Sequence, residues 1–293
     1  MSPKSQTLAT RHPEPHQSPE RYRLPDFLAV GPPRTGTTWL YRVLRGHVGL
    51  PEGIKETHFF RQRYPLGAEW YARHFERCPP NLPIGEVAPS YFAPEEIRER
   101  VKLHIPDCRI ICTLRDPAER MYSHYKLLNR GAMIKGDFAE LAFTHPDLVT
   151  FSRYAYHLRG WQALFGRENV LVLIHEDCYL DRRAYVDKLC AFIGIPAIDV
   201  AALPWANDHI NPNRTAPRNR KLVRRMGRWR ARMIDHRHYR AVKLLQPIFN
   251  YWMRGGHAYG PLDASLKRKI KGQLRPEVDA LEEIIGRDLS DWK

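Results

Sequence analysis

Phe27-Leu28-Ala29-Val30-Gly31-Pro32-Pro33-Arg34-Thr35-Gly36-Thr37-Thr38-Trp39-Leu40 decides the fold of this chain. Four apolar residues come first, then a turn rich in Gly and Pro. Trp39, Leu40, Val43 and Leu44 follow at helical spacing, so the stretch predicts a buried strand, a tight turn and a helix from Gly36 to Gly46. That is how a chain surrounds a phosphate with backbone N–H donors at a helix N-terminus. Gly31-x4-Gly36 has the spacing of a phosphate-binding loop. A nucleotide triphosphatase would carry Lys and then Ser or Thr next, whereas this chain has Thr37-Thr38. The loop therefore suits a 5′-phosphate-type anion held by backbone, hydroxyls and Arg34, and not ATP hydrolysis.

The 293 residues carry 47 Lys and Arg against 32 Asp and Glu, a formal charge of +15. Such a field favours anionic ligands: nucleotides, sulfated or phosphorylated sugars, nucleic acid or an anionic membrane surface. No run reaches the roughly 18 apolar residues of a membrane span, and the N-terminus has no hydrophobic signal core. Residues 1–22, rich in Pro, His, Ser and Gln, are expected to be a disordered leader ahead of one domain over 23–293, in the cytoplasm. Cys78, Cys108, Cys112, Cys178 and Cys190 have scattered spacing, which predicts reduced thiols and no metal site.

Strand-like and helix-like segments alternate, predicting an α/β fold with three layers: a central parallel sheet flanked by helices. The expected strands are Phe27–Val30, Ile84–Val87, Arg109–Leu114 and Val170–Ile174. Helices are expected over Pro94–His104, from Asp116-Pro117 to about Leu128, over Tyr154–Phe165 and over Asp181–Ile193. The last third reads as mainly helical after a loop from Asn207 to Arg220. A second turn is chemically marked at a strand end. Arg115 closes the third strand and Ser123 lies about two turns into the next helix, a fork and a hydroxyl that can jointly hold a second phosphate.

Together these motifs resemble the sulfotransferases that use 3′-phosphoadenosine 5′-phosphosulfate. The first loop, Arg34-Thr35-Gly36-Thr37-Thr38-Trp39, is similar to that family's 5′-phosphosulfate loop, and Arg115…Ser123 to its 3′-phosphate site. Lys55-Glu56-Thr57-His58-Phe59-Phe60 and Gly85-Glu86-Val87-Ala88-Pro89-Ser90-Tyr91-Phe92 resemble the heparan sulfate sulfotransferase branch. So does the ending Leu281-Glu282…Gly286-Arg287-Asp288-Leu289…Trp292. The resemblance spans about Phe27 to Trp292 and implies a P-loop-like fold with the phosphosulfate nucleotide as donor.

Sulfuryl transfer needs an in-line acceptor, a base for its proton and positive charge on the leaving oxygen. The resemblance implies Glu56 as base, with His58 positioning it or acting as base itself, and Lys55 and Tyr91 at the acceptor. Arg34 stands where the family has a catalytic Lys; it keeps the charge, as leaving-group stabiliser or as phosphate clamp, but donates no proton near neutral pH. Val87 replaces a Lys of the branch, a departure at the acceptor side. From Arg214 to Arg240 the chain is densely basic, with Leu222, Met226, Trp229 and Met233 at helical spacing. The resemblance implies that Arg214 and Arg218 reach the nucleotide, while attraction to an anionic lipid surface is a further reading of the stretch. The expected activity is sulfuryl transfer to a hydroxyl or amine of a saccharide, lipid or small-molecule acceptor. A small-molecule kinase ranks second and lacks its Lys. A nucleic-acid partner is not expected, because charge alone leaves both marked turns unexplained.

Overall fold

The structure, a computed structural model, describes residues 23–203 and 215–293; the expected leader over 1–22 and Arg214 lie outside the described residues. Strands β1 (Phe27–Ala29), β2 (Gly85–Val87), β3 (Arg109–Leu114) and β4 (Val170–Ile174) form one parallel sheet in the order β2-β1-β3-β4. Phe27 faces Gly85 on one side and Arg109 on the other, and Ile110 faces Val170. The chain leaves β1 for β2 on one flank and then crosses to β3 on the other. The carboxyl ends of β1 and β3 therefore border the point where strand order reverses, the place where open α/β sheets bind ligands.

Alternation along the strands builds the layers. Leu28, Val30, Ile110 and Cys112 face one side and meet Ile97, Leu158, Trp161 and Leu281 from helices Glu95–His104, Tyr154–Phe165 and Ala264–Ile285. Phe27, Ala29 and Ile111 face the other and meet Trp39, Leu40, Tyr185 and Leu189 from helices Thr37–Leu44 and Arg182–Ile193. The three-layer architecture agrees with the sequence reading. All five cysteines are free.

Helix Pro117–Arg130 starts where expected and runs longer, with the Asp116 side chain accepting from the N–H groups of Ala118 (2.8 Å) and Glu119 (3.1 Å). Beyond the sheet, helices Arg220–Asp235 and Tyr239–Trp252 form a hairpin. Its feet are strands β5 (Thr215–Pro217) and β6 (Gly255–Ala258), antiparallel to each other, the first in the expected loop and the second where helix is expected from sequence. The hairpin is tied to the body near its tip. Arg63 Nε donates to Asp235 Oδ1 (2.7 Å) while its Nη1 donates to Thr57 O (2.9 Å), and the hydroxyl of Tyr239 meets His74 Nε2 at 2.5 Å.

Burial pushes His74, and likewise His157, whose Nε2 bonds Thr150 O at 2.9 Å, down from 6.5 to about 4. Both fold as neutral rings, so their stabilisation is complete above pH 6.5 and is lost as pH falls toward 4. Shifts of that size correspond to roughly 3 kcal/mol each at full burial. The urea midpoint is expected to fall steeply between pH 6.5 and 4, and His157→Gln is expected to flatten that slope; an unchanged slope would place the acid sensitivity elsewhere.

Candidate active site

The first marked turn is built against β3. A Cβ on Gly31 would stand 2.3 Å from the backbone N of Thr113, so glycine alone lets the loop lie on that strand. The buried hydroxyl of Thr35 donates to Pro32 O (2.8 Å) and shares a 2.7 Å hydrogen bond with the hydroxyl of Thr113. Arg34 and Gly36 both have left-handed backbone, φ 80° and 87°. For a non-glycine residue that conformation costs about 1–2 kcal/mol and marks a constrained turn. Helix Thr37–Leu44 follows with no acidic residue in its first turn and no side-chain cap. Its leading N–H groups lack intrahelical partners and carry the positive end of the helix dipole.

The second turn meets the first directly. Arg34 Nε donates to Ser123 Oγ at 2.8 Å, across 89 residues of sequence. Burial, then Arg115 and Arg130, push Arg34 from 12.5 to about 10. Lys126 is lowered by burial and by Arg34. His175, beneath Gly36, is held at about 4 by burial, Arg115 and Arg34, so it is neutral at physiological pH. Tyr154 donates to Arg115 O at 3.0 Å, and Glu176 Oε1 accepts from the Asp116 N–H at 3.0 Å, which fixes the end of β3. Arg115 reaches Glu119 only at 3.9 Å. Cations thus converge on the helix N-terminus, an arrangement that a bound anion relieves.

Lys126, Arg130 and His175 are absent from the residues expected from sequence: Lys126 and Arg130 lie further along the helix that carries Ser123, and His175 follows β4, where no local spacing marks a phosphate. Three expected ligands are placed otherwise. The Trp39 indole is 9% exposed and packs edge-on to Tyr185 at 6.0 Å, so it belongs to the core. The Thr35 hydroxyl is spent inside the loop. The Arg218 guanidinium lies 4.4 Å over the ring of Tyr251 at the base of the hairpin.

The stretch expected at the acceptor is Lys55–Phe60. Lys55 Nζ donates to Glu56 Oε1 (3.0 Å), and His58 Nε2 lies 3.9 Å from Glu56 Oε2. His58 Nδ1 shares a 3.0 Å hydrogen bond with the Ser90 hydroxyl. Burial pushes His58 below 6.5 against the pull of Glu56, leaving a ring that can accept a proton. Phe59 and Phe60 anchor the stretch in the core. Beneath it, buried Glu86 accepts from Thr57 N (2.5 Å) and Tyr71 Oη (2.9 Å). Tyr91, expected at the acceptor, is 0% exposed, and its hydroxyl joins this group at 3.3 Å from Glu86; it supports the stretch from below. Val87 is likewise buried in the core.

Lys55, Glu56 and His58 open into a cleft of about 1430 Å³ whose far wall is the hairpin. Arg63, Arg77, Arg230, Arg237, Arg240 and Lys243 line it.

A family model described as "Sulfotransferase domain" matches residues 24–210. The chain is 32% identical over 196 residues to the bifunctional heparan sulfate N-deacetylase/N-sulfotransferase 4 of Mus musculus, covering 59% of this chain and 22% of that protein. It is 29% identical over 188 residues to the heparan sulfate glucosamine 3-O-sulfotransferase 6 of Mus musculus, covering 61% and 55%. The chain therefore spans about a fifth to a half of these relatives. A sulfotransferase from Alicyclobacillus acidocaldarius shares the fold, with a TM-score of 0.65 at 21% identity over 92% of this chain and 99% of that one.

Burial, opposed by the Thr57 N–H, raises Glu86 from 4.5 to about 7. A raised carboxyl favours the fold below pH 4.5, and that gain is lost as pH climbs through 7. Glu86→Gln is therefore expected to gain stability relative to the parent from pH 5 to 8, by about 2–3 kcal/mol, read by urea denaturation. A difference that does not vary with pH would contradict the assignment.

Proposed function

The chain belongs to the sulfotransferase domain family, and from that premise we propose that it transfers a sulfuryl group from 3′-phosphoadenosine 5′-phosphosulfate to a hydroxyl or amine of an anionic acceptor. The observation that carries the reading is the Arg34–Ser123 hydrogen bond. It joins two turns, each suited to one phosphate, into one cationic site at the switch point of the sheet. A kinase reading would need the Lys that Thr37 replaces.

When bound, the donor supplies the sulfuryl group and a bisphosphate leaving group. The residues that would hold it are the backbone of Thr35–Thr38, with the side chains of Arg34, Arg115 and Ser123. The crowding of Arg115 and Arg130 around Arg34 fits a ligand with several negative charges. Arg34 stays protonated and neutralises charge that grows on the leaving phosphate. Glu56 takes the acceptor proton at a carboxylate oxygen. Lys55 orients Glu56, and neutral His58, steadied by Ser90, positions it from the other side. The cationic cleft favours a carboxylated or sulfated saccharide, the class named in its relatives. A single domain over 23–293 and a cytoplasmic setting belong to the same proposal.

The test is ³⁵S transfer from the labelled donor to heparan sulfate chains, beside binding of 3′-phosphoadenosine 5′-phosphate. Glu56→Gln is expected to slow turnover by roughly 10²–10³ and leave bisphosphate affinity unchanged. Arg115→Ala is expected to weaken the bisphosphate by at least about tenfold. Full turnover in the first variant, or full affinity in the second, would refute these roles.

A further inference from the structure

The hairpin Arg220–Trp252 has a second, apolar surface that adjoins the cleft wall. Leu244, Ile248 and Tyr251 are spaced i, i+4, i+7 on helix Tyr239–Trp252 and are 76%, 51% and 55% exposed. Beside this ridge an apolar groove of about 350 Å³ runs between the two helices, lined by Leu222, Met226 and Trp229 from one and Leu245, Ile248 and Phe249 from the other. A folded domain rarely leaves such apolar side chains together in water.

Cations join the apolar surface: Arg225 and Arg230 line the same groove. The hairpin holds ten Lys and Arg residues against one carboxylate, Asp235, which Arg63 already occupies. Lys221, Arg225, Arg228 and Arg232 are exposed, and among the described residues none of them forms an ion pair. No helix of the described residues is long and apolar enough to cross a membrane. An apolar ridge flanked by unpaired cations is the composition of an element that lies in a bilayer interface, its apolar side chains among acyl chains and its cations on acidic headgroups. Nucleic acid would satisfy the cations and leave Leu244 and Ile248 in water.

We propose that the hairpin docks this domain on the surface of an anionic lipid bilayer through the Leu244–Ile248–Tyr251 ridge. The proposal is independent of the acceptor and of the sulfuryl-transfer reading. Arg230, Val242 and Gln246 line both the apolar groove and the cleft, so docking brings the cleft wall to the membrane surface.

The experiment is co-sedimentation of the full chain with vesicles of phosphatidylglycerol or of phosphatidylcholine, with gel filtration and RNA binding as controls. The parent is expected to sediment with the anionic vesicles and not the zwitterionic ones. Leu244→Glu combined with Ile248→Glu is expected to cut partitioning on the order of tenfold, as is Arg225→Glu with Arg228→Glu, with circular dichroism unchanged. Exposed positions make these variants safe for folding. The proposal is overturned by failure to bind anionic vesicles, or by binding that the Leu244/Ile248 pair leaves intact. It is equally overturned by a solution dimer that this pair dissociates, or by RNA binding that outcompetes the vesicles.

Discussion

Gly31 rests on the backbone of Thr113, where a Cβ would stand 2.3 Å from a main-chain nitrogen. The site depends on that contact between β1 and β3. It lets the loop after β1 close over the end of β3, where the Thr35 and Thr113 hydroxyls meet at 2.7 Å. It also sets Arg34 within hydrogen-bonding distance of Ser123. The parallel register of β1 with β2 and of β3 with β4 then delivers two further groups to the same edge. Beyond β2 comes the Ser90 hydroxyl that holds His58, and at the end of β4 comes His175 beneath Gly36.

Electrostatics turn this geometry into a binding site. Helix Pro117–Arg130 and the two turns bring Arg34, Arg115, Lys126 and Arg130 together: Arg34 is lowered by burial, Arg115 and Arg130, and Lys126 by burial, Arg34 and Arg115. In water such a cluster would disperse. Here the helix cap at Asp116 and the bonds to Arg115 O and Asp116 N hold it in place. The field is therefore prepared before ligand arrives, which is where electrostatic catalysis draws its energy. The Lys55–Phe60 stretch is held on a separate footing by Phe59 and Phe60 in the core and by Glu86 under Thr57. The proposed base and the proposed nucleotide site thus rest on separate supports.

The sheet was legible because its strands are short apolar runs bounded by turn residues, and the phosphate turns because Gly31, Gly36, Asp116 and Pro117 encode local conformation. Arg130, Lys126 and His175 were not legible. Their role arises from where one helix and one strand end meet the loop, which no local spacing records. Trp39 and Tyr91 misled for a related reason: an aromatic beside a functional residue reads alike whether it faces ligand or core. Strands β5 and β6, Thr-Ala-Pro and Gly-Gly-His-Ala, carry no strand pattern; the hairpin between them brings them into pairing. The hairpin's basic, amphipathic character was plain in sequence. Its position as the cleft wall, tied down by Arg63 and His74, was not.

Two phosphate-binding turns that meet in one site at the switch point of the sheet call for a ligand with two phosphates. Calorimetric titration with 3′-phosphoadenosine 5′-phosphate in the absence of metal, beside ATP with Mg²⁺, is the direct test. Tight binding of the 3′,5′-bisphosphate and much weaker binding of ATP are expected. Binding of ATP without binding of the bisphosphate would contradict a two-phosphate site.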